Sequence, residues 1–141
     1  MTESAESAES PVDRFLAAVE AGDIAGCTAW SEATVLDATV PGWRFHKRGA
    51  DAIREEYAHW FAAEGRFEEL QRIAVPGGEV VRYYLTWVEN GIPHAAHHAH
   101  VLTVEGDRII ADTVLCGGRW PASLLAEMEA ADAAEAAHAQ H

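Results

Sequence analysis

The chain predicts an α+β fold in which a curved sheet closes around helices to form a cone. Three observations carry this. Apolar residues recur at helical spacing from Val12 to Val19 and again from Ile53 to Phe61, both in the first half of the chain. From Phe67 to Cys116 they alternate with strand period instead, interrupted by short turn signals. Helices that precede a run of strands joined by short turns give segregated layers and antiparallel pairing. A sheet covered on one side by helices leaves an interior of the kind that takes small molecules.

Residues 1–10 repeat Ser, Ala and Glu, have no apolar face to bury, and are expected to be a disordered tail. The folded domain is expected over 11–120 and a last helix with a frayed end over 121–141. Pro11 suits a first helical turn, and Val12, Phe15, Leu16 and Val19 then form one stripe. Ala21-Gly22 ends this helix, and Asp23 reads as the cap of a short second one with Ile24, Cys27 and Trp30 inward. Ala33 to Val40 reads as a strand broken by Pro41-Gly42, after which Trp43 and Phe45 open an irregular connection over the mouth of the fold. A stronger helix is expected from Ala50 to Ala63, stopped by Gly65. Strands follow from Phe67 to Val75, Glu79 to Glu89, His94 to Val104 and Arg108 to Cys116. Val81, Tyr83, Leu85 and Trp87 share one face of the second of these, which is expected to be central. Pro121 starts the last helix, and the Ala, Glu and Asp run beyond Glu129 has nothing left to pack.

Composition excludes several functions. The formal charge of -13 repels nucleic acid and anionic membranes, so neither is an expected partner, and an acidic solvated surface is its plain reading. Cys27 and Cys116 are the only cysteines, too few for a disulfide framework, which fits a reducing, cytoplasmic setting. No basic segment followed by an apolar run opens the chain, and no stretch approaches a membrane span. Gly77-Gly78 and Gly117-Gly118 lack the strand and helix context of a phosphate loop or dinucleotide fingerprint, so no cofactor is expected.

Four ionisable groups interrupt apolar patterns. Asp37 sits between Leu36 and Ala38 and shares its face with Val35 and Thr39. It reads either as a pocket-lining base or as a turn-forming carboxylate at an exposed strand end. His98 and His100 share a face with Leu102 and Val104, and one imidazole can exchange protons near neutral pH. Two histidines alone make a poor metal site. Asp112 shares a face with Ile110 and Val114, and reads as a partner for His98 or as a structural carboxylate. A three-residue loop, Glu105 to Asp107, puts His100 opposite Asp112 with His98 one diagonal step away; a two-residue loop would split the pair between faces. Trp43, Tyr57, Trp60, Tyr84, Trp87 and Trp120 are candidate walls, with His100, of an aromatic-rich substrate pocket.

The segment FLAAVEAGDIAGCTAWSEATVLDATVPGWRFHKRGADAIREEYAHWF, from Phe15 to Phe61, and the later Gly-Gly-Arg-Trp at Gly117 to Trp120 resemble the nuclear-transport-factor-2-like (NTF2-like) superfamily, in particular its SnoaL-like and ketosteroid-isomerase-like branch. The resemblance covers about residues 12–120. It implies a cone-shaped, cystatin-like α+β barrel and a homodimer formed through the sheet. In the isomerase branch the general base is an aspartate in an ATV-x-D strand, where Asp37 falls, but Phe15 stands near the position of its oxyanion tyrosine. In the cyclase branch a histidine is followed fourteen residues later by an acid/base aspartate, which His98 and Asp112 match. The expectation is a cofactor-free acid/base enzyme, with Asp37, His98 and Asp112 catalytic, acting on a small hydrophobic and polyketide-like or polycyclic carbonyl compound. The alternative is a non-catalytic small-molecule-binding or dimeric scaffolding protein.

Overall fold

The computed structural model describes residues 9–139. All but the last two residues of the tail expected over 1–10 therefore lie outside the described part. Helix α1 spans Pro11–Ala21 and opens with a reciprocal cap: Ser10 Oγ accepts from the Asp13 N–H at 3.0 Å, and the Asp13 carboxylate accepts from the Ser10 N–H at 3.0 Å. Val12, Phe15, Leu16 and Val19 are buried, as their spacing predicts. No helix follows Asp23. Gly22 and Gly26 bracket a segment too short to nucleate one, and a turn forms instead, in which the Cys27 N–H donates to the Ile24 carbonyl at 2.9 Å. Ile24, Cys27 and Trp30 are nonetheless buried.

Strand β1 (Trp30–Val40) turns at Pro41-Gly42 into β2 (Trp43–Arg48), an edge strand rather than the expected irregular connection. Its sequence, Trp-Arg-Phe-His-Lys-Arg, is largely exposed and hides the strand period. Helix α2 runs Ala50–Trp60, three residues shorter than expected, and buries Ile53 and Tyr57. Strands β3 (Gly65–Val75), β4 (Gly78–Glu89), β5 (Ile92–Glu105) and β6 (Arg108–Pro121) form an antiparallel meander. The sheet order is β2-β1-β6-β5-β4-β3, with β1 and β6 parallel. Strand β4 is thus next to an edge; β6 and β5 are central, because β6 pairs back onto β1.

The mixed sheet wraps around α1 and α2 as a cone, and the core fills the space between: Phe15, Trp30, Leu36, Tyr57, Phe61, Val81, Tyr83 and Leu102 among others. Helix α3 (Ala122–Ala139) stays helical well past Glu129, carried by the propensity of its alanines, and buries no residue. Among the described residues no helix is long and apolar enough to cross a membrane.

Candidate functional site

The interior faces of β4 and β6 each contribute one ionisable side chain, β5 contributes two, and α2 adds another. Strand period puts Tyr83 of β4 inward with Val81 and Leu85, directly opposite His98 in register. On β5, His98, His100 and Leu102 are all inward and buried.

Asp112 reaches the same face by an unexpected route. The β5–β6 loop has only two residues, since Glu105 pairs with Arg108. The register then slips, because Val104 faces Ile109 while Thr103 faces Ala111, so that Ile110 is an extra residue on β6. This bulge restores the parity that a two-residue loop alone would have lost. Asp112 lies opposite Leu102, and its close partner is His100 rather than His98.

The four groups form a continuous chain with Tyr57 as a side branch. Tyr57 donates to Asp112 Oδ2 at 2.6 Å. His100 Nδ1 lies 3.0 Å from Asp112 Oδ1, and His100 Nε2 lies 2.9 Å from the Tyr83 hydroxyl. That hydroxyl is 2.9 Å from His98 Nδ1. His100 and Asp112 are essentially sealed from solvent, and Phe15 packs edge-on against the His100 ring. His98 Nε2 makes no hydrogen bond among the described residues and keeps accessible surface.

That nitrogen belongs to a side chain lining a cavity of about 330 Å³. Trp60, Leu85, Trp87, Ala96 and Val40 make its walls largely apolar, while His59 and Arg119 bring polar atoms. Its β6 wall contains a second bulge, where Gly117 and Gly118 together face His97. Gly118 has φ 113°, and a Cβ there would lie 3.1 Å from Trp120 Nε1. Arg119 is bonded to Glu89 and stands 5.2 Å from the Trp87 ring centroid.

Burial governs the electrostatics. Desolvation, helped by His100 and His97, lowers the pKa of His98 to about 3, so the ring is neutral. Burial and then the Asp112 charge hold Tyr57 well above the usual phenol range, and the same two causes act on Tyr83. Burial also raises Cys116, which keeps it a thiol rather than a nucleophilic thiolate.

The structure brings His98, His100, Asp112, Tyr57, Trp60 and Trp87 to one interior, but not Asp37. Leu36 and Ala38 point inward on β1, so Asp37 points outward, where Arg44 of β2 donates two bonds to its carboxylate at 3.0 and 2.8 Å. That hydrogen bonding, more than charge, lowers its pKa. Trp43 is exposed on the edge strand, and Tyr84 packs on His97 at the outer face. Trp120 is half-buried against Gly118 and does not line the cavity. Tyr57 and His100 lie behind the cavity, in the core. Sequence reasoning read Tyr83 only as an apolar-face residue. Its signal was available, since a phenol at a core position needs a hydrogen-bond partner and two histidines shared the neighbouring strand. Among the described residues no group of three or more His, Cys, Asp or Glu is placed to hold a metal ion.

No protein-family model matches the chain, and no curated protein matches its sequence. Solved structures do. A candidate isomerase from Bacillus subtilis superposes with a TM-score of 0.63 at 15% identity, over 76% of this chain and 84% of the other. A candidate polyketide cyclase from Xanthomonas campestris pv. campestris gives 0.60 at 16% identity, over 74% and 86%. An NTF2-like protein of unknown function from Burkholderia xenovorans gives 0.55 at 14% identity, over 77% and 80%. The fold is NTF2-like. At such identities the likeness concerns the NTF2-like backbone, and the chemistry rests on this chain's own side chains.

Proposed function

We propose that this protein is an acid/base enzyme that needs no cofactor and moves a proton on a small hydrophobic carbonyl compound, with His98 as the group that touches substrate. One observation carries the reading: His98 lines a largely apolar cavity with its Nε2 unbonded among the described residues, while Nδ1 of the same ring is tied into a buried polar chain. A ring held by one nitrogen and open at the other is fixed in orientation and free to accept or donate at a single point. A carbon acid whose carbonyl oxygen faces Arg119 or His59 would present its α-hydrogen to that nitrogen. Enolisation then leads to double-bond migration, intramolecular aldol closure or loss of water. The walls of Trp60 and Trp87 suit a flat, cyclic or polyketide-like skeleton. Asp112 acts from behind, through His100, and Asp37 takes no part.

The structural neighbours described as a candidate isomerase and a candidate polyketide cyclase support the reading at the level of fold. A second reading is a non-catalytic binding or scaffolding protein, and one observation favours it: both candidate carboxylates lie away from the cavity. Exposed Val101 and Leu115 on the outer face of β5 and β6 offer a second copy a surface in either case, and the free thiols of Cys27 and Cys116 fit a cytoplasmic setting.

One experiment separates the readings. A panel of cyclic ketones and β-dicarbonyls is mixed with the protein in D₂O, following α-hydrogen exchange by NMR and binding by tryptophan fluorescence. Saturable exchange that falls about 10²–10⁴-fold in His98→Gln, with fluorescence quenching retained, supports the enzyme. Quenching without exchange in the wild type supports the binding protein.

A further inference from the structure

We propose that Asp112, His100, Tyr83 and His98 form a proton store, in which a proton exchanged with the cavity at His98 Nε2 is held as positive charge on His100. The proposal rests on the acid/base reading of the cavity but concerns where the charge resides, which that reading leaves open.

The hydrogen bonds permit two self-consistent arrangements differing by one proton. In the first, neutral His100 donates from Nδ1 to the Asp112 carboxylate, so its Nε2 accepts the Tyr83 O–H. The Tyr83 oxygen then accepts from His98 Nδ1–H, leaving His98 Nε2 bare toward the cavity. In the second, every bond beyond His100 is reversed. His100 is an imidazolium, donating from Nδ1 to Asp112 and from Nε2 to the Tyr83 oxygen. Tyr83 donates to His98 Nδ1, and His98 carries its proton on Nε2.

Conversion balances without any further reactant. A substrate C–H proton goes to His98 Nε2, and its electron pair stays on the substrate as an enolate. The His98 Nδ1 proton passes to the Tyr83 oxygen as the Tyr83 proton passes to His100 Nε2. The substrate ends with one negative charge, His100 with one positive charge, and His98 and Tyr83 remain neutral. Reversal returns the proton through the same nitrogen to another atom of the substrate.

Geometry favours His100 over His98 as the seat of the charge. An imidazolium at His100 is 3.0 Å from the Asp112 carboxylate. One at His98 would face the aromatic rings of Trp60 and Phe61, with Tyr83 as the partner of its Nδ1. The groups that could bias these two rings are Asp112 and Cys116 on β6, Tyr57 and His59 on α2, Tyr83 on β4, and Arg119 at the cavity. His97 lies on the opposite face of β5, bonded to Arg82. Asp112 is the carboxylate among them, and it touches His100 alone of the two histidines. The depressed pKa of His98 agrees with this assignment.

The test reads ring protonation without substrate. Imidazole ¹⁵N chemical shifts of the full-length protein are followed from pH 4 to pH 9. The expected result is that His100 becomes an imidazolium while His98 stays neutral and switches from the Nδ1–H to the Nε2–H form with the same midpoint. In Tyr83→Phe, which removes only the bridging oxygen, the two rings are expected to uncouple, so that His98 no longer switches with His100. His98 becoming an imidazolium, His98 keeping one tautomer while His100 titrates, or neither ring changing across the range would overturn the store. So would a coupled switch that survives in Tyr83→Phe. If that variant does not fold, the wild-type titration decides alone. An enzyme that fails this test remains an enzyme, and a protein with no turnover can pass it.

Discussion

Replacing Asp112 with Asn separates the electrostatic role of the buried carboxylate from its packing. The residue is 1% exposed and each oxygen has one partner, Tyr57 at 2.6 Å and His100 at 3.0 Å. Asparagine has nearly the same shape, so no cavity opens. Its amide oxygen keeps the Tyr57 bond, but its NH₂ group now faces His100 Nδ1 and must donate to it. His100 then carries its proton on Nε2 and donates to Tyr83, which donates to His98 Nδ1, and His98 Nε2 is permanently protonated. Two bonds to a charged group, worth about 1.5–3 kcal/mol each, become neutral bonds worth about 0.5–1.5 kcal/mol each. The fold is also relieved of a buried charge whose desolvation costs several kcal/mol. The two changes oppose each other, and the net shift in stability is expected to stay within about 2 kcal/mol. Base activity has no such compensation, and a wrong tautomer is expected to cost about 10³–10⁴-fold. Urea unfolding supplies the first number, and α-hydrogen exchange in D₂O on the best carbon acid of the panel supplies the second. An Asp112→Asn protein that folds normally and retains more than a tenth of its exchange rate refutes the reasoning, because the polarity of the chain would then not matter.

Three further outcomes are expected. In the unfolded chain His98 takes up a proton as pH falls through its ordinary value of 6.5, whereas in the fold it does so only near 3. Between those values the unfolded chain binds more protons, so stability is lost as the pH is lowered, by about 3 kcal/mol from this residue by pH 4. His98→Gln should flatten that part of the slope in urea titrations at pH 7, 5 and 4, and an unchanged slope assigns the loss elsewhere. Asp37→Asn breaks only the outward pair with Arg44 and should leave exchange within twofold of wild type; a tenfold loss would contradict its placement. Gly118→Ala forces a Cβ onto a φ of 113° and to within 3.4 Å of Pro41 Cγ, and should cost about 1–3 kcal/mol, read as a lowered urea midpoint. An unaltered midpoint would mean that the bulge relaxes freely.

Element order, the inward stripes of α1 and β4, and the shared face of His98 and His100 were legible because each follows from a fixed period within one element. What was missed depends on relations between elements. Asp37 looked inward because Val35 and Thr39 accompany it, but β1 is apolar on both faces. Which face is covered was decided by Leu36 and Ala38 packing on the core, with Arg44 waiting outside. Strand β2 carries no period because it lies at an edge. Tyr83 was hidden by the same apolar alternation that revealed its strand. The Asp112 partnership with His100 was reached through the wrong loop length, and a bulge that no local motif announces supplied the missing residue.

Both halves of the site trace to register slips on the one strand β6. The first, at Ile110, turns Asp112 inward; without it the carboxylate would face solvent beside Ala99 and Val101, and His100 would be a buried imidazole with no counter-charge. The second, at Gly117-Gly118, doubles the chain opposite His97 next to His98 and forms part of the cavity wall. Between them Val114 seals the strand at 0% exposure, and the charge-bearing end and the cavity end are hydrogen-bonded to each other through Tyr83 and the two imidazoles. A store has to be built this way. The charge must sit where a carboxylate can compensate it, and the reacting nitrogen must sit where water and carboxylates are scarce. The two extra residues divide β6 into a segment that serves the carboxylate and a segment that shapes the cavity.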